Sequence, residues 1–408
     1  MRAKRTGVWL IGACGNVGML SIVGARAIAR GLAGTAGMVT ELKELRELDL
    51  PGLDDLVFGG HEVGGTGLLD AARAFGRRAG VVSERMLERL EDELTGIQQN
   101  IRPGVGGAPV RTLDGAARAE GPSASVRVIQ QDLAEFRAQH DLGSVVVVNV
   151  ATTEPLPDAR PEWESLTKLR AALDDERAEV FPVSLLYAYA ALDAGCAYVN
   201  FTPSLGSAVP ALDELARARG TVHAGRDGKT GETLVKTTLA PLFALRNLRV
   251  LAWEGYNMLG NPDGEALRDP QTRASKTTSK DRSLRAILGE QAGHSSVHID
   301  FVPSLDDWKV AFDYIHFEGF LGAKMAMQFT WQGCDSALAA PLVLDLVRLA
   351  AYAQQSGEKG TMEHLACFFK DPAGVEVHSF EEQFHLLRRY VQDHRASGGA
   401  SGGGRQAV

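Results

Sequence analysis

The sequence predicts an α/β protein in two textures: a largely parallel sheet flanked by helices, interrupted by an inserted, mostly antiparallel sheet. Three observations carry this. Residues 7–11 (GVWLI) form an apolar run that meets glycines at 12, 15 and 18 and then a helical pattern to about residue 31, the opening unit of a parallel α/β sheet. Residues 144–150 (SVVVVNV) are almost uniformly β-branched, as a strand buried on both faces requires. Beyond Leu248, residues 250–256, 296–302 and 308–317 alternate and are rich in aromatic side chains, the pattern of half-buried antiparallel strands.

The elements follow in order. Residues 51–58 read as a second strand ending at Gly59-Gly60-His61-Glu62 with a turn, and residues 65–99 as helices with charged faces. The Gly, Pro and Ala-rich stretch 102–123 reads as a loop. Residues 171–195 read as one helix, 197–201 as a strand, 210–219 as a short helix and 221–224 as a last strand before the polar loop 225–231. Helical patterns resume near Ala337 and again over 380–394; the tail from Ser397 (SGGASGGGRQAV) has no core-forming residues and reads as flexible.

With 408 residues the chain is long enough for two or three cores. A formal net charge of -8 argues against nucleic acid or an anionic membrane as the partner. Any phosphate bound here has to meet a local cationic pocket against a repulsive global field. Cys14, Cys196, Cys334 and Cys367 form no C-x-x-C and no Cys/His spacing, so they read as buried thiols of a reducing, cytoplasmic protein, and no metal-ligand cluster is legible. The basic Met1–Arg5 start and uncharged residues 7–25 imitate a secretory signal, but Gly12, Gly15, Asn16 and Gly18 punctuate a strand-turn-helix instead. No stretch reads as a membrane span: even residues 337–353 carry Asp345 and Arg348.

Gly12, Gly15 and Gly18, with Asn16 and Val17 between them, stand where a strand turns into a helix. Such a turn lets the backbone approach a pyrophosphate, and the helix N-terminus adds N–H donors and a positive dipole end. Cys14 takes the middle glycine's place in G-x-G-x-x-G. For the acid that binds a ribose, Glu62 at a strand end is preferred to Glu41, and it favours NAD over NADP by repelling a 2′-phosphate. Gly228-Lys229-Thr230 imitates the end of a P-loop, but His223 stands where its first glycine belongs, and no helix is evident after it.

Beyond residue 225 lysines recur in polar settings. Lys229 sits in G-R-D-G-K-T-G, Lys276 and Lys280 are four apart in R-A-S-K-T-T-S-K, Lys309 follows Asp306-Asp307-Trp308, and Lys370 lies in C-F-F-K-D-P. Singly, each is an ordinary surface lysine. Converging on one pocket, they suit a phosphate monoester and an oxyanion formed beside it.

In that setting AGRDGKTGETLVKT (224–237), EGYNMLGNPDG (254–264), RASKTTSK (273–280), VPSLDDWKVAFDY (302–314), GCDSALAAPLVLDLV (333–347) and FFKDP (368–372), with GACGNVG (12–18) and VFGGHEV (57–63), resemble the inositol-phosphate synthase family, in its order. The resemblance implies a Rossmann-like NAD-binding domain over 1–245, an inserted catalytic and oligomerisation sheet domain over 246–332, a return to the first domain over 333–395 and a tail over 396–408. It implies a homotetramer built through the inserted sheet. It also implies an NAD-dependent cyclase that converts the hexose phosphate glucose 6-phosphate to inositol 3-phosphate by oxidation, enolisation, aldol closure and reduction.

By the same resemblance Lys276, Lys280, Lys309 and Lys370 are the catalytic and phosphate-binding lysines. Asp227, Asp335 and Ser336 lie by the nicotinamide; Lys229, Asn257 and Asp263 contact or orient the substrate. The sequence departs from the family at Arg226 (usually acidic), Leu234 (usually Lys), Trp308 (usually small), Cys14 and Glu62. The first three leave open another substrate, such as fructose 6-phosphate closing to a five-membered cyclitol. A net NAD dehydrogenase and a non-catalytic NAD-binding regulator are the remaining readings.

Overall fold

The structure, a computed structural model, describes residues 5–105, 121–261, 284–289 and 292–400. Its first layer is built from β1 (Thr6–Ile11), α1 (Asn16–Ala29), β2 (Leu56–Glu62), α2 (Leu68–Ala79), α3 (Glu84–Gln98), β3 (Ile101–Pro103), α4 (Pro122–Gln139), β4 (Ser144–Asn149), α5 (Leu166–Asp174), α6 (Val183–Asp193), β5 (Ala197–Asn200), α7 (Pro210–Arg219), β6 (Val222–Gly225) and α8 (Glu232–Leu245). A second sheet follows, of β7 (Arg249–Leu259), β8 (Ala292–Phe301), β9 (Trp308–Glu318) and β10 (Lys324–Cys334). The chain then returns through α9 (Asp335–Gln355), β11 (Gly360–Thr361) and α10 (Phe380–Ala400).

The first sheet has the order β11-β6-β5-β4-β1-β2-β3 and is parallel throughout. Within it β3-β2-β1-β4-β5-β6 is the doubly wound dinucleotide order, whose direction reverses between β1 and β4. Alternation builds two cores. Val8, Leu10, Val146 and Val148 face α1, α2, α3, α9 and α10, while Trp9, Ile11, Val145 and Val147 face α4 to α7. Each buried valine contributes about 1.5–3 kcal/mol, so register is strongly specified on both faces.

The second sheet has the order β10-β9-β7-β8. β9 is antiparallel to β7 and β10, while β7 and β8 run parallel, which demands the long crossover between them. Helix α8 covers one face through Ala240 and Phe243 against Val250, Trp253 and Ile315. On the other face Tyr256 and Met258 are exposed.

Several elements differ from the sequence reading. Gly59-Gly60 is not a turn but the middle of β2, paired with Trp9 and Leu10; a Cβ at Gly60 would lie 2.2 Å from the Leu10 carbonyl oxygen. The helix expected over 171–195 is two helices, α5 and α6, parted by Glu176 at φ 54 and by Pro182 at the cap of α6. α4 and β3 lie in and beyond a stretch read as loop. A helix does follow the 225–231 loop: α8 accommodates Pro241 in its interior, which obscured its pattern. The last strand of the second sheet, β10, carries no clear sequence pattern because its alternating side chains are mostly exposed or half-buried. α10 runs to Ala400, past the start expected for the tail.

α9 is long and apolar enough to cross a membrane, but most of it is buried inside the protein. Beyond Asp335 in its first turn, its two charges are used internally. Asp345 accepts from Val39 N, Thr40 N and Thr40 Oγ1, and Arg348 donates to the Pro51 carbonyl, Thr40 and Glu41.

Candidate active site

The topological reversal opens a cleft of about 340 Å³ at the carboxyl ends of β1, β2 and β4. Its floor is the glycine turn. Gly12 has φ +87, and a Cβ there would lie 2.9 Å from Ala151 Cα; at Gly18 a Cβ would lie 2.5 Å from the Gly12 oxygen. Both positions exclude side chains, the first for conformation and contact, the second because α1 packs against the turn. α1 begins with Gly15 at its cap and no side-chain capping bond. Its first amides are therefore available to an anion, the geometry a pyrophosphate takes.

Gly12, Gly15, Asn16, Val17, Glu62 and Ser336 all line this cleft; Gly18 lies behind it as packing. The Glu62 carboxylate accepts from Cys14 N at 2.8 Å and from Val63 N and Gly64 N at 2.9 and 3.1 Å, fixing the end of β2 against the turn. Burial, with Glu62 beside it, pushes the Cys14 thiol up to about 12. The other three cysteines, also free, are raised to about 12 as well, chiefly by burial, which makes all four unreactive at neutral pH. An uncapped helix N-terminus, a turn that only glycine permits and an acid at the neighbouring strand end together fit a dinucleotide.

Asp307 also lines the cleft, and sequence reasoning passed over it. It accepts from Asn16 Nδ2 at 3.1 Å and from Ser336 N and Ser336 Oγ, both at 2.8 Å. It thus ties the start of α9 to the start of α1. An acid before a strand carries no signal that it caps a helix 29 residues on. Asn149 and Glu154 are further lining residues that no motif announced, and Asn261, within the 254–264 motif, is one whose place was not singled out.

Val17, Val150, Ala151, Asn261 and Ser336 are shared with a second cavity of about 140 Å³, closed by the second sheet. Lys309, Lys370, Asp227, Asp335 and Asn257 line it. Lys309 projects from the start of β9, its Nζ 3.9 Å from Asp335 Oδ1 in the first turn of α9. Lys370 Nζ donates to Asp227 Oδ1 at 2.8 Å, and their backbones are bonded as well, Lys370 N to the Asp227 oxygen at 2.7 Å. Asp227 adopts φ 64, which a short polar side chain tolerates.

Lys229 differs from the expectation that it meets substrate. It is buried at 3% exposure and donates to Gln383 on α10, with Phe380 beneath its ammonium. Burial, with Lys370 nearby, lowers it to about 8. It does not line the cavity, because the loop turns its stem toward α10. Lys276, Lys280 and Asp263 lie outside the described residues.

The three departures expected near the sugar do not line the cavity either. Arg226 donates to the Pro203 carbonyl and to Asp371. Trp308 Nε1 caps α2 at the Ala79 carbonyl, 3.1 Å away. Leu234 sits half-buried on α8. Arg226 and Trp308 adjoin Asp227 and Lys309 in the chain, but the side-chain directions take them elsewhere.

A doubly wound dinucleotide fold whose cleft runs on into a cavity walled by lysines and carboxylates defines an NAD-type enzyme for a small anionic substrate. The chain belongs to the myo-inositol-1-phosphate synthase family, whose model matches residues 6–392, and NAD is the dinucleotide of that family. It is 33% identical to inositol-3-phosphate synthase 1 of Bacteroides thetaiotaomicron, over 93% of this chain and 91% of that one. It is 31% identical to inositol-3-phosphate synthase of Drosophila melanogaster, over 76% of this chain and 55% of that one. The fold superposes on the crystal structure of inositol-3-phosphate synthase from Caenorhabditis elegans with TM-score 0.84 at 23% identity, covering 97% and 86% of the two chains.

Proposed function

We propose that this chain is an isomerase (an intramolecular lyase) that cyclises glucose 6-phosphate to inositol 3-phosphate, in cyclitol biosynthesis. One observation carries the reading. The cavity lined by Lys309, Lys370, Asp227 and Asp335 shares five lining residues with the dinucleotide cleft, so a substrate there is next to the cofactor.

NAD, when bound, supplies hydride acceptance and return at C5, which leaves no net redox change. The chain's own groups manage protons and charge. With a carbonyl at C5, a C6 proton becomes acidic; its removal yields an enolate, and attack of C6 on the C1 aldehyde yields an alkoxide. Ammonium groups stabilise both oxyanions and supply protons. Lys309 serves the C5 oxygen and Lys276 the aldol centre; Lys280 and Lys370 serve the phosphate and the reacting oxygens. Asn257 and Asp263 orient the sugar, while Gly12, Gly15, Asn16, Val17 and Glu62 hold the cofactor, Gly18 lets α1 pack against the turn that does so, and Asp227, Asp335 and Ser336 lie toward the nicotinamide. Lys229 is better read as a positioning residue for the 225–231 loop.

Arg226, Leu234 and Trp308 lie off the cavity wall, which favours glucose 6-phosphate over a rearranged substrate. The domains divide near residues 245 and 332, with α9, β11 and α10 completing the first. We further propose a cytoplasmic homotetramer assembled through the second sheet. Tyr256 and Met258 on its open face, and Phe320 and Leu321 at 86% and 89% exposure beside it, are the apolar surface that assembly would cover.

Incubation with NAD and either glucose 6-phosphate or fructose 6-phosphate, followed by NMR of the products, tests the reading. The expected result is an inositol phosphate from the first sugar without accumulation of NADH. Stoichiometric NADH would indicate a dehydrogenase, and no change in any hexose phosphate a non-catalytic protein.

A further inference from the structure

Behind the cavity, α8 and the second sheet enclose a charged cluster in which Glu232, Lys236 and Asp313, though within the quoted motifs, carry no role assigned from the sequence. Glu232, Lys236, Asn257 and Asp313 are at most 2% exposed. Lys236 Nζ stands 2.6 Å from Glu232 Oε1 and 4.0 Å from Asp313 Oδ1, while Trp253 Nε1 donates to Asp313 Oδ1 at 2.8 Å. Gly255 makes the room: a Cβ there would lie 2.4 Å from Glu232 Oε1 and 3.0 Å from Lys236 Nζ. Burying such charges carries a large desolvation cost, and packed apolar side chains often serve stability as well. The cluster therefore calls for a role other than stability.

The second Glu232 oxygen indicates that role. Oε2 accepts from Asn257 Nδ2 at 2.6 Å. An ionised carboxylate only accepts, so it selects the NH2 side of the amide, and the planar amide must turn its oxygen away from Glu232. Asn257 lines the cavity, and its buried Oδ1 has no hydrogen-bond partner among the described residues. A buried carbonyl without a donor is costly, and that cost is recovered when a donor arrives.

We infer that Glu232, charge-balanced by Lys236, is a positioning residue that locks the Asn257 amide with its oxygen toward the cavity, making Asn257 an obligate acceptor for one substrate hydroxyl. This rests on the polyol-phosphate reading above. In Glu232→Gln the partner donates or accepts with equal ease, and only the longer 3.4 Å bond from Asn257 Nδ2 to the His298 carbonyl still selects the orientation, so the hold on the amide weakens.

The test uses the NAD-loaded full chain with glucose 6-phosphate and its 2-, 3- and 4-deoxy analogues, measuring binding and kcat/KM for each. Wild type should disfavour one analogue by about tenfold or more, because a site built to bond a hydroxyl rejects the sugar lacking it. Asn257→Ala should erase that ratio. Glu232→Gln should shrink it by weakening the parent sugar while leaving the deoxy analogue and NAD affinity nearly unchanged. Should the single variant not fold, Glu232→Gln/Lys236→Met removes both charges together and reads the same ratio. Equal losses for all four sugars in the Glu232 variant would mark a merely structural residue and overturn the inference alone. Wild-type protein that binds none of the four overturns the functional reading and this inference with it.

Discussion

Asn16 Nδ2 donates to Asp307 Oδ1 at 3.1 Å across 291 residues of sequence, and through that carboxylate the N-termini of α1 and α9 share one acceptor. Asp307 also takes Ser336 N and Oγ. Loss of a capping acceptor costs about 0.5–2 kcal/mol, and Ser336 would lose a buried partner besides. Asp307→Ala should therefore lower stability by about 2 kcal/mol in a denaturant titration and weaken NAD binding, read by quenching on titration with NADH. Asp307→Asn should recover part of both.

Lys309 and Lys370 sit on the same cavity, each against a carboxylate, so their removal should affect chemistry more than cofactor affinity. Lys309→Ala and Lys370→Ala should each lower kcat by about 10²–10³, the usual effect of deleting one oxyanion donor. NAD should remain bound. Retained turnover in Lys309→Ala would show that its ammonium does not meet the reacting oxygen.

The glycine turn separates packing from ligand approach. A Cβ at Gly18 would meet the Gly12 oxygen at 2.5 Å, whereas at Gly15 the contact with the same oxygen is 3.3 Å. Gly18→Ala should unfold at lower temperature even without cofactor. Gly15→Ala should keep nearly the wild-type melting temperature in the absence of NAD but lose most of the rise that NAD produces. Thermal melts with and without NAD distinguish the two.

Asp345, wholly buried on α9, is raised from 3.8 to about 6, first by burial, against the opposing bonds from Thr40 and Val39. A carboxyl with a raised folded-state pKa stabilises the fold fully below its unfolded value, and that contribution is lost as pH rises through the folded one. The stability of wild type relative to Asp345→Asn should accordingly fall between about pH 4 and pH 6 and level off above. Denaturant titrations of both proteins at stepped pH check this, and a flat difference would show that the carboxyl titrates normally.

Much of the fold was legible because its signals are local. The β-branched run of β4 and the glycines at 12, 15 and 18 announce themselves by period and conformation. β10 was not legible, since a strand with little burial carries little apolar pattern, nor was α8, whose Pro241 mimics a helix end. At the site, Lys309, Lys370, Asp227, Asp335 and Asn257 were named in advance from motif resemblance, whereas Asp307, Glu232 and Lys236 were not. Asp307 works through Asn16 and Glu232 through Asn257, partners on other elements of the fold.

By itself the sequence determined the α/β class, the dinucleotide turn and the family, because these depend on periodicity, on glycine's freedom and on ordered motifs within short windows. Only the tertiary structure decided which charges meet. It turned Lys229, Arg226 and Trp308 away from the cavity and brought Glu232 under Asn257. Side-chain direction depends on the packing of distant elements, and no local pattern encodes it.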